Sequence, residues 1–135
     1  MNRRVCWILT LAFLMAALAG CGLVKPKLVN GAMTTGIDST GKPQDSVESY
    51  ALDAPALVAT CEATHIKDAT EVRFEWVFVD QNETIDTAKV EVKEDSYLNS
   101  QLKPDVNGWT AGSYEVRIYL ASEADPVLRL PFTIQ

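Results

Sequence analysis

The sequence predicts an all-β fold, an antiparallel β-sandwich of about seven to eight strands. Three observations support this class. From Gly31 onward short apolar segments alternate with clusters of turn-forming residues, several segments have an apolar residue at every second position, and no window has the period of a long helix. The chain has 135 residues, and we expect residues 32–135 to form one domain, which is long enough to bury a single core.

The second half of the chain has the clearest alternation. In the segment from Val72 to Phe78 every second residue is apolar and charged residues fall between them, as in a half-buried strand. The residues of 103–108 favour turns and predict a connection. Pro131 lacks a backbone donor, so the last strand should lie at an edge or contain a bulge. The segments with this pattern are 72–78, 89–93, 97–102, 114–120 and 128–134.

The first half is less regular. Apolar residues at every second position from Leu57 to Ala63 predict one good strand, with Cys61 facing the core. Before it, the segments 34–37 and 47–52 are plausible short edge strands on either side of a turn at 39–43.

Three residues give the predicted sandwich a more specific likeness. Cys61, then Trp76 fifteen residues later, and Tyr114 at the start of a late strand resemble the centre of the immunoglobulin-like sandwich. The family's second cysteine is replaced by Val116, so no disulfide is expected, and Cys61 should be buried and reduced near Trp76 and Val116. The segments 108–116 and 130–134 look like the closing hairpin of bacterial extracytoplasmic immunoglobulin-like domains of unassigned function.

The N-terminus has the pattern of a secretory signal. Arg3 and Arg4 are followed by an uncharged apolar run from Val5 to Leu18, which is shorter than the roughly 20 residues of a membrane-spanning helix. The run ends in Leu18-Ala19-Gly20-Cys21, which resembles the bacterial lipobox. We therefore expect residues 1–20 to be cleaved, Cys21 to be lipidated, and 21–31 to form a tether. An ordinary cleavage site next to an incidental cysteine is the alternative.

The lipobox resemblance implies a cellular location and membrane lipid as a binding partner. A diacyl or triacyl group on Cys21 would hold the protein durably in lipid. Gly22 follows the cysteine in place of the aspartate that favours inner-membrane retention. The expected location is the outer membrane facing the periplasm in a diderm organism, and otherwise the outer face of the plasma membrane. The net charge of −6 becomes about −8 without Arg3 and Arg4, which excludes a nucleic-acid partner.

The chain offers little chemistry for catalysis. Cys61 and the only histidine, His65, are four residues apart, about 13 Å along a strand, which is too far for a catalytic pair. No hydrolase or zinc-protease motif occurs. We expect neither enzymatic activity nor a cofactor.

Acidic residues collect in two predicted loops. These clusters could bind calcium weakly, but they lack EF-hand spacing and are expected in so acidic a chain, so no metal site is predicted. The residues are Asp80, Glu83 and Asp86 in one loop and Glu94 and Asp95 in the next.

Two sets of residues are candidates for binding. Trp109, in a loop between two glycines, could stack on a ligand, although a plug that closes one end of the sandwich is the favoured interpretation. On the outer face of the predicted sheet, four apolar residues would form a cluster that serves as an interaction surface, unless the loop after Asp80 covers them. These four are Val77, Val79, Tyr119 and Val127.

The predicted function is a lipid-anchored binding or assembly module of the cell envelope, with an envelope protein as its partner. Two alternatives stay open. One is an accessory or inhibitor subunit of an envelope enzyme. The other is a carbohydrate-binding domain that uses Trp109 and perhaps Tyr50, Tyr97 or Tyr119, which would require these aromatic residues to form one exposed, coplanar patch.

Overall fold

The computed structural model describes residues 24–135, so the predicted signal sequence and Cys21 lie outside the described residues. Within 24–135, no helix has the length and apolarity needed to cross a membrane. A 3-10 turn, Val79–Gln81, follows the fourth strand. The strands are β1 (Lys27–Thr34), β2 (Ser49–Tyr50), β3 (Leu57–Thr64), β4 (Thr70–Phe78), β5 (Glu83–Val92), β6 (Ser96–Leu102), β7 (Gly112–Leu120) and β8 (Leu128–Ile134).

The strands form two sheets, which confirms the predicted all-β sandwich. The smaller sheet has the order β1-β3-β6, and the larger has the order β2-β8-β7-β4-β5. Neighbouring strands are antiparallel except for the short parallel pair of β2 with β8. Only the last two residues of β8 pair with β2. Pro131 therefore lies where the edge of β8 next to β2 is not paired, as predicted for a proline in an edge strand.

The core lies between the sheets and is centred on Trp76. Three inward residues of β4, Val72, Phe74 and Trp76, have no exposed surface, and the indole Nε1 of Trp76 donates a hydrogen bond to Ser100 Oγ at 3.0 Å. Cys61 is also fully buried and unpaired, and it belongs to the same core cluster as Trp76 and Val116, as predicted. Burial raises the pKa of the Cys61 thiol to about 12, so it carries little thiolate at neutral pH.

The folded domain begins earlier than predicted. β1 starts at Lys27, inside the segment 21–31 expected to be a tether, and Leu28 and Met33 are buried. The register shifts between Val29 and Ala32, where Asn30 has a φ of 52°. This bulge interrupts the alternation of apolar residues, which is why the strand escaped the sequence pattern.

Two other boundaries also differ from the prediction. β5 begins at Glu83 instead of residue 89, and its first five residues are exposed, so burial imposes no alternation on them. The expected edge strands at 34–37 and 47–52 reduce to the end of β1, a bridge between Ile37 and Pro43, and the two residues of β2.

A hairpin covers part of the outer face of the smaller sheet. Gln44 N–H donates to Gly36 O at 3.0 Å and closes the hairpin, which we call the 36–44 hairpin. Gly41, at φ 87°, packs so close to Tyr97 of β6 that an added Cβ would lie 3.3 Å from the Tyr97 Cβ. On β3, Val58 and Thr60 are buried as well although their neighbours face the core, and the Thr60 hydroxyl donates to Ala32 O of β1 at 3.2 Å.

The sandwich has two ends that carry different loops. β1 enters at the end that we call proximal, formed by the segments 24–27, 64–70, 92–96 and 120–128. The opposite, distal end is formed by the segments 45–56, 78–83 and 102–112. The strands of up to ten residues between them separate the two ends by about 30 Å.

Candidate binding surface at the distal end

The four apolar residues predicted to form an interaction surface do not lie together. Val77 is 2% exposed and Tyr119 is 7% exposed, whereas Val79 and Val127 are 45% and 39% exposed. Val77 pairs with Glu115, four residues from Tyr119 along β7, so Val77 and Tyr119 are about 13 Å apart along the strand direction. The prediction of one exposed apolar cluster is therefore wrong: Val77 and Val79 lie towards the distal end, and Tyr119 and Val127 towards the proximal end.

Charged side chains explain why the outer face of the larger sheet exposes so little apolar surface. The Arg73 guanidinium lies over the Tyr119 ring, 4.1 Å from its centroid. The Glu115 Oε1 accepts hydrogen bonds from Arg117 Nε and Arg129 NH1, both at 2.8 Å. Burial alone would raise the pKa of Glu115, but the bonds from the two arginines outweigh it and lower that pKa. The arginine stems and these ion pairs cover the apolar surface of this face, although the buried Nε of Arg73 has no hydrogen-bond partner.

Trp109 closes the distal end of the sandwich. Its indole is half-buried and packs against the core, and its Nε1 donates a hydrogen bond to Ala54 O at 2.7 Å. Nearby, the Tyr114 hydroxyl donates to Thr110 O at 2.6 Å. These bonds tie the 102–112 segment to the loop after β2 and to β7, and this placement matches the plug interpretation of Trp109.

A groove of about 360 Å³ opens beside Trp109, and we call it the distal groove. Its apolar and aromatic surface comes from Phe78, Ile85, Leu102, Trp109 and Tyr114. Polar residues complete the lining: Gln81, Glu83, Lys103, Asp105, Gly108 and Thr110. The groove lies where β5 extends past the narrower three-stranded sheet.

A β-bulge places Ile85 at this groove. Trp76 pairs with Asp86 and Val77 pairs with Thr84, so Ile85 is the extra residue of the bulge. Its side chain is 40% exposed. The alternation of apolar residues could not predict this position, because Ile85 is a single apolar residue among polar ones.

The loop on the other side of the groove exposes a second apolar residue. Val106 is fully exposed at the tip of a turn in which Gly108 N–H donates to Asp105 O at 3.1 Å. Asn107 N–H also donates to Asp105 Oδ1 at 2.7 Å. The turn residues around Val106 predicted this connection, but they did not predict that its one apolar residue would face solvent.

A second cavity of about 480 Å³ lies on the outer side of the distal end. Val79, one of the predicted interaction residues, lines it together with Pro131 and the acidic residue Glu48. The other residues that line the cavity are Ser113, Tyr114, Glu115, Phe132 and Thr133.

The two ends differ strongly in charge. The distal segments 45–56, 78–83 and 102–112 contain six acidic residues and a single lysine, for a net charge of −5. The proximal segments contain five acidic residues and four lysines, for a net charge of −1. The distal acids are Asp45, Glu48, Asp53, Asp80, Glu83 and Asp105, and the proximal lysines are Lys25, Lys27, Lys67 and Lys93.

The candidate sugar-binding aromatic residues do not form a coplanar patch. Tyr50 and Tyr119 are buried, and the Tyr50 hydroxyl donates to Thr34 O at 2.6 Å inside the fold. Tyr97 lies beside the 36–44 hairpin, on the outer face of the smaller sheet. Only Trp109 lines a groove, so the condition set for a sugar platform is not met.

Two of the remaining polar candidates, Asp80 and Asp95, accept hydrogen bonds from the backbone. The Asp80 carboxylate accepts from Ser113 N–H at 3.1 Å, and Asp95 accepts from Ile66 N–H at 2.8 Å. His65 is exposed beyond the end of β3, whereas Cys61 faces the core. Among residues 24–135, no group of three or more His, Cys, Asp or Glu side chains is arranged to hold a metal ion.

Comparison with known protein families found no family model that matches this sequence. None of the curated proteins compared with it matches either. The function is therefore argued from the sequence and the fold alone.

Proposed function

We propose that this protein is a lipid-anchored binding or assembly module of the cell envelope, held in the membrane through an acylated Cys21. The observation that carries the proposal is the position of the first strand. β1 begins at Lys27, at the proximal end, only six residues after Cys21. A six-residue link spans at most about 20 Å, so an acylated Cys21 would keep the proximal end near the lipid and direct the distal end away from it.

The charge distribution supports this orientation. Four lysines lie at the proximal end, near the expected lipid surface, and the strongly acidic end lies farthest from it. Anionic headgroups attract lysines and repel carboxylates. The proposed location is the outer membrane, facing the periplasm, in a diderm organism, and otherwise the outer face of the plasma membrane.

The fold suits presentation of a binding surface, and we propose that it is immunoglobulin-like. Tyr114 lies two residues before Val116, and its hydroxyl bonds to the backbone four residues upstream, as the tyrosine corner of that family does. Cys61 on β3 and Trp76 on β4 occupy the core positions that the resemblance assigns to them. Such domains bind through loops at one end or through a sheet face, and both cavities lie at the distal end.

An accessory or inhibitor subunit is a special case of the same proposal, in which the partner is an envelope enzyme. The carbohydrate-binding alternative has less support, because the aromatic residues are dispersed. An acidic domain also gains nothing from a nucleic acid, so the proposed partner is a protein.

Anchoring is tested by mass and fractionation. We expect the full-length gene product, expressed in a bacterial host and extracted from membranes, to start at residue 21 with added acyl mass. Cys21→Ser should abolish the acyl mass and release or stall the chain, whereas the control Cys6→Ser should leave both unchanged. A mature chain that starts elsewhere and carries no lipid would contradict the proposal.

A further inference from the structure

We propose that the distal groove binds a basic polypeptide segment of a partner protein, with an apolar side chain of that segment held over Trp109 between Ile85 and the turn that carries Val106. This inference rests on the proposed function as a binding module, and it adds the site and the chemistry of the partner. Neither Ile85 nor Val106 belongs to the surface that the sequence predicted.

Ile85 is the first structural reason. β5 is the edge strand of the larger sheet, and edge strands in soluble proteins are usually protected by charge. Between Glu83 and Thr87 all five residues are exposed, and Ile85 is the one large apolar residue among them. The bulge at this position turns Ile85 towards the groove, and bulges of this kind frequently aim a side chain at a functional site.

Val106 is the second and independent reason. A fully exposed valine is held at the tip of a turn whose backbone is fixed by two hydrogen bonds to Asp105. Because the turn is already ordered, a partner that covers Val106 loses little conformational entropy there. Ile85 thus lines a groove that also contains aromatic residues, and Val106 is carried by the turn whose Asp105 and Gly108 line the same groove, a combination typical of a contact site.

Charge decides the occupant. Glu83 and Asp105 lie in the groove lining with one lysine, Lys103, and the whole distal end has a net charge of −5. Electrostatic complementarity favours a segment rich in lysine or arginine. The same charge opposes a second copy of this chain, because two distal ends of −5 would face each other.

The aromatic residues of the groove offer no hydrogen-bond donor to a sugar, although Gln81, Lys103 and Thr110 in the same lining carry donors. The Trp109 Nε1 proton is already donated to Ala54 O, and the Tyr114 hydroxyl proton to Thr110 O. The two aromatic residues with polar groups in the groove therefore have no free donor for a sugar hydroxyl. An apolar side chain needs none.

The experiment measures peptide binding to the full-length protein extracted from membranes in a neutral detergent. The probes are three peptides of equal length: alternating lysine and leucine, alternating lysine and serine, and alternating glutamate and leucine. We expect the lysine-leucine peptide to bind at least about tenfold more tightly than the lysine-serine peptide, and the glutamate-leucine peptide not to bind. Raising the salt concentration from 0.1 to 0.5 M should weaken binding because screening shortens the range of the charges.

Matched substitutions locate the site. The double substitution Ile85→Ser with Val106→Ser should reduce the affinity for the lysine-leucine peptide about tenfold, and Glu83→Lys with Asp105→Lys should do the same. The control is Val127→Ser at the proximal end, which removes an apolar residue with 39% exposure against 40% for Ile85 and should leave the affinity unchanged. Circular dichroism and urea unfolding check that each variant remains folded.

Several results would overturn the inference. They are equal affinity for the lysine-leucine and lysine-serine peptides, an equal loss in Val127→Ser, and tighter binding of an N-acetylglucosamine tetramer than of any peptide. A photo-crosslinker placed at residue 85 or 127 in native membranes separates this failure from failure of the proposed function. Protein crosslinks from position 127 alone would support a binding module but contradict binding at the distal groove. Absence of lipid at Cys21 would contradict the proposed anchoring and would not affect the peptide result.

Discussion

The two ends of the sandwich are closed in similar ways but present different surfaces. At the distal end Trp109 packs against the core and bonds to Ala54 of another loop. At the proximal end Ile66 is buried, and its N–H bonds to Asp95 of the next loop. Each plug is a hydrophobic residue tied by one hydrogen bond to a second loop.

The difference lies outside the plugs. The distal end has the groove, the exposed Ile85 and Val106, and a net charge of −5, whereas the proximal end has a net charge of −1 and four of the lysines. Exposed apolar residues occur at both ends, since Val24 and Val127 at the proximal end are 48% and 39% exposed, so the ends differ in the groove and in net charge. The asymmetry therefore points to function at the distal end.

The largest expected effect comes from removing the plugs. Trp109→Ala should lower the free energy of unfolding by about 3 kcal/mol, because it removes packed aromatic surface and leaves Ala54 O without its partner. Ile66→Ala should cost about 2 kcal/mol at the other end. Urea unfolding of the two variants measures both values. A loss below about 0.5 kcal/mol for Trp109→Ala would show that the indole is a surface residue and would break the analogy between the ends.

The next largest effect concerns two glycines of the distal loop. Gly112 has a φ of 150°, and an added Cβ would collide with the Asp80 carboxylate and lie 2.6 Å from the Phe78 ring. Gly112→Ala should therefore destabilise by about 2 to 3 kcal/mol. Gly108, at φ 77°, has open space around it, so Gly108→Ala should cost only the backbone strain of about 1 kcal/mol. Equal losses in thermal unfolding would mean that the Gly112 contact relaxes.

A smaller effect on stability is expected at low pH, and it should come from Asp45, which follows the 36–44 hairpin. Hydrogen bonds from the Thr34 hydroxyl, and then from the Thr35 hydroxyl and backbone, hold the pKa of Asp45 below its usual value of 3.8. A lowered pKa in the folded state contributes stability above the unfolded value, and this contribution is lost as the pH falls through the folded value. Urea unfolding of the wild type should therefore weaken below about pH 4, and Asp45→Asn should flatten that part of the profile. An unchanged profile in Asp45→Asn would assign the acid sensitivity to other carboxylates.

The smallest effect should come from the outer face of the larger sheet, which separates the two ends. The Glu115 carboxylate is 19% exposed and pairs with Arg117 and Arg129. Because partly exposed pairs contribute little, Glu115→Gln should cost about 1 kcal/mol or less. Binding of the lysine-leucine peptide should be unaffected, since Glu115 does not line the distal groove. A large loss of that binding would shift the docking surface to the outer face.

The sequence predicted the strands in which apolar residues recur at every second position, but it did not predict local features such as bulges and exposed strand ends. The period of two predicted the central strands of the larger sheet and the burial of Cys61, because a strand with one buried face has apolar and polar residues in alternation. It failed for β1, where the bulge at Asn30 breaks the period, and for the start of β5, where every residue is exposed.

The candidate site was less predictable than the fold, for a related reason. Alternation along a strand identifies which side chains point outward, but it does not tell whether a neighbouring side chain covers them. Val77 and Tyr119 are outward and yet buried, the latter beneath Arg73. Ile85 and Val106 became candidates only once the bulge and the turn were placed in three dimensions, since each is a single apolar residue among polar ones.

The proposed orientation places the distal end away from the membrane. Fluorescence quenching of the lipidated protein tests it, in vesicles that contain nitroxide-labelled lipid and with one fluorophore at Val106→Cys or at Val127→Cys. Cys61 should stay unlabelled, because it is fully buried and its thiol pKa is raised to about 12. We expect clearly stronger quenching at position 127 than at position 106, because the ends are about 30 Å apart. Equal quenching at the two positions, or stronger quenching at 106, would contradict it.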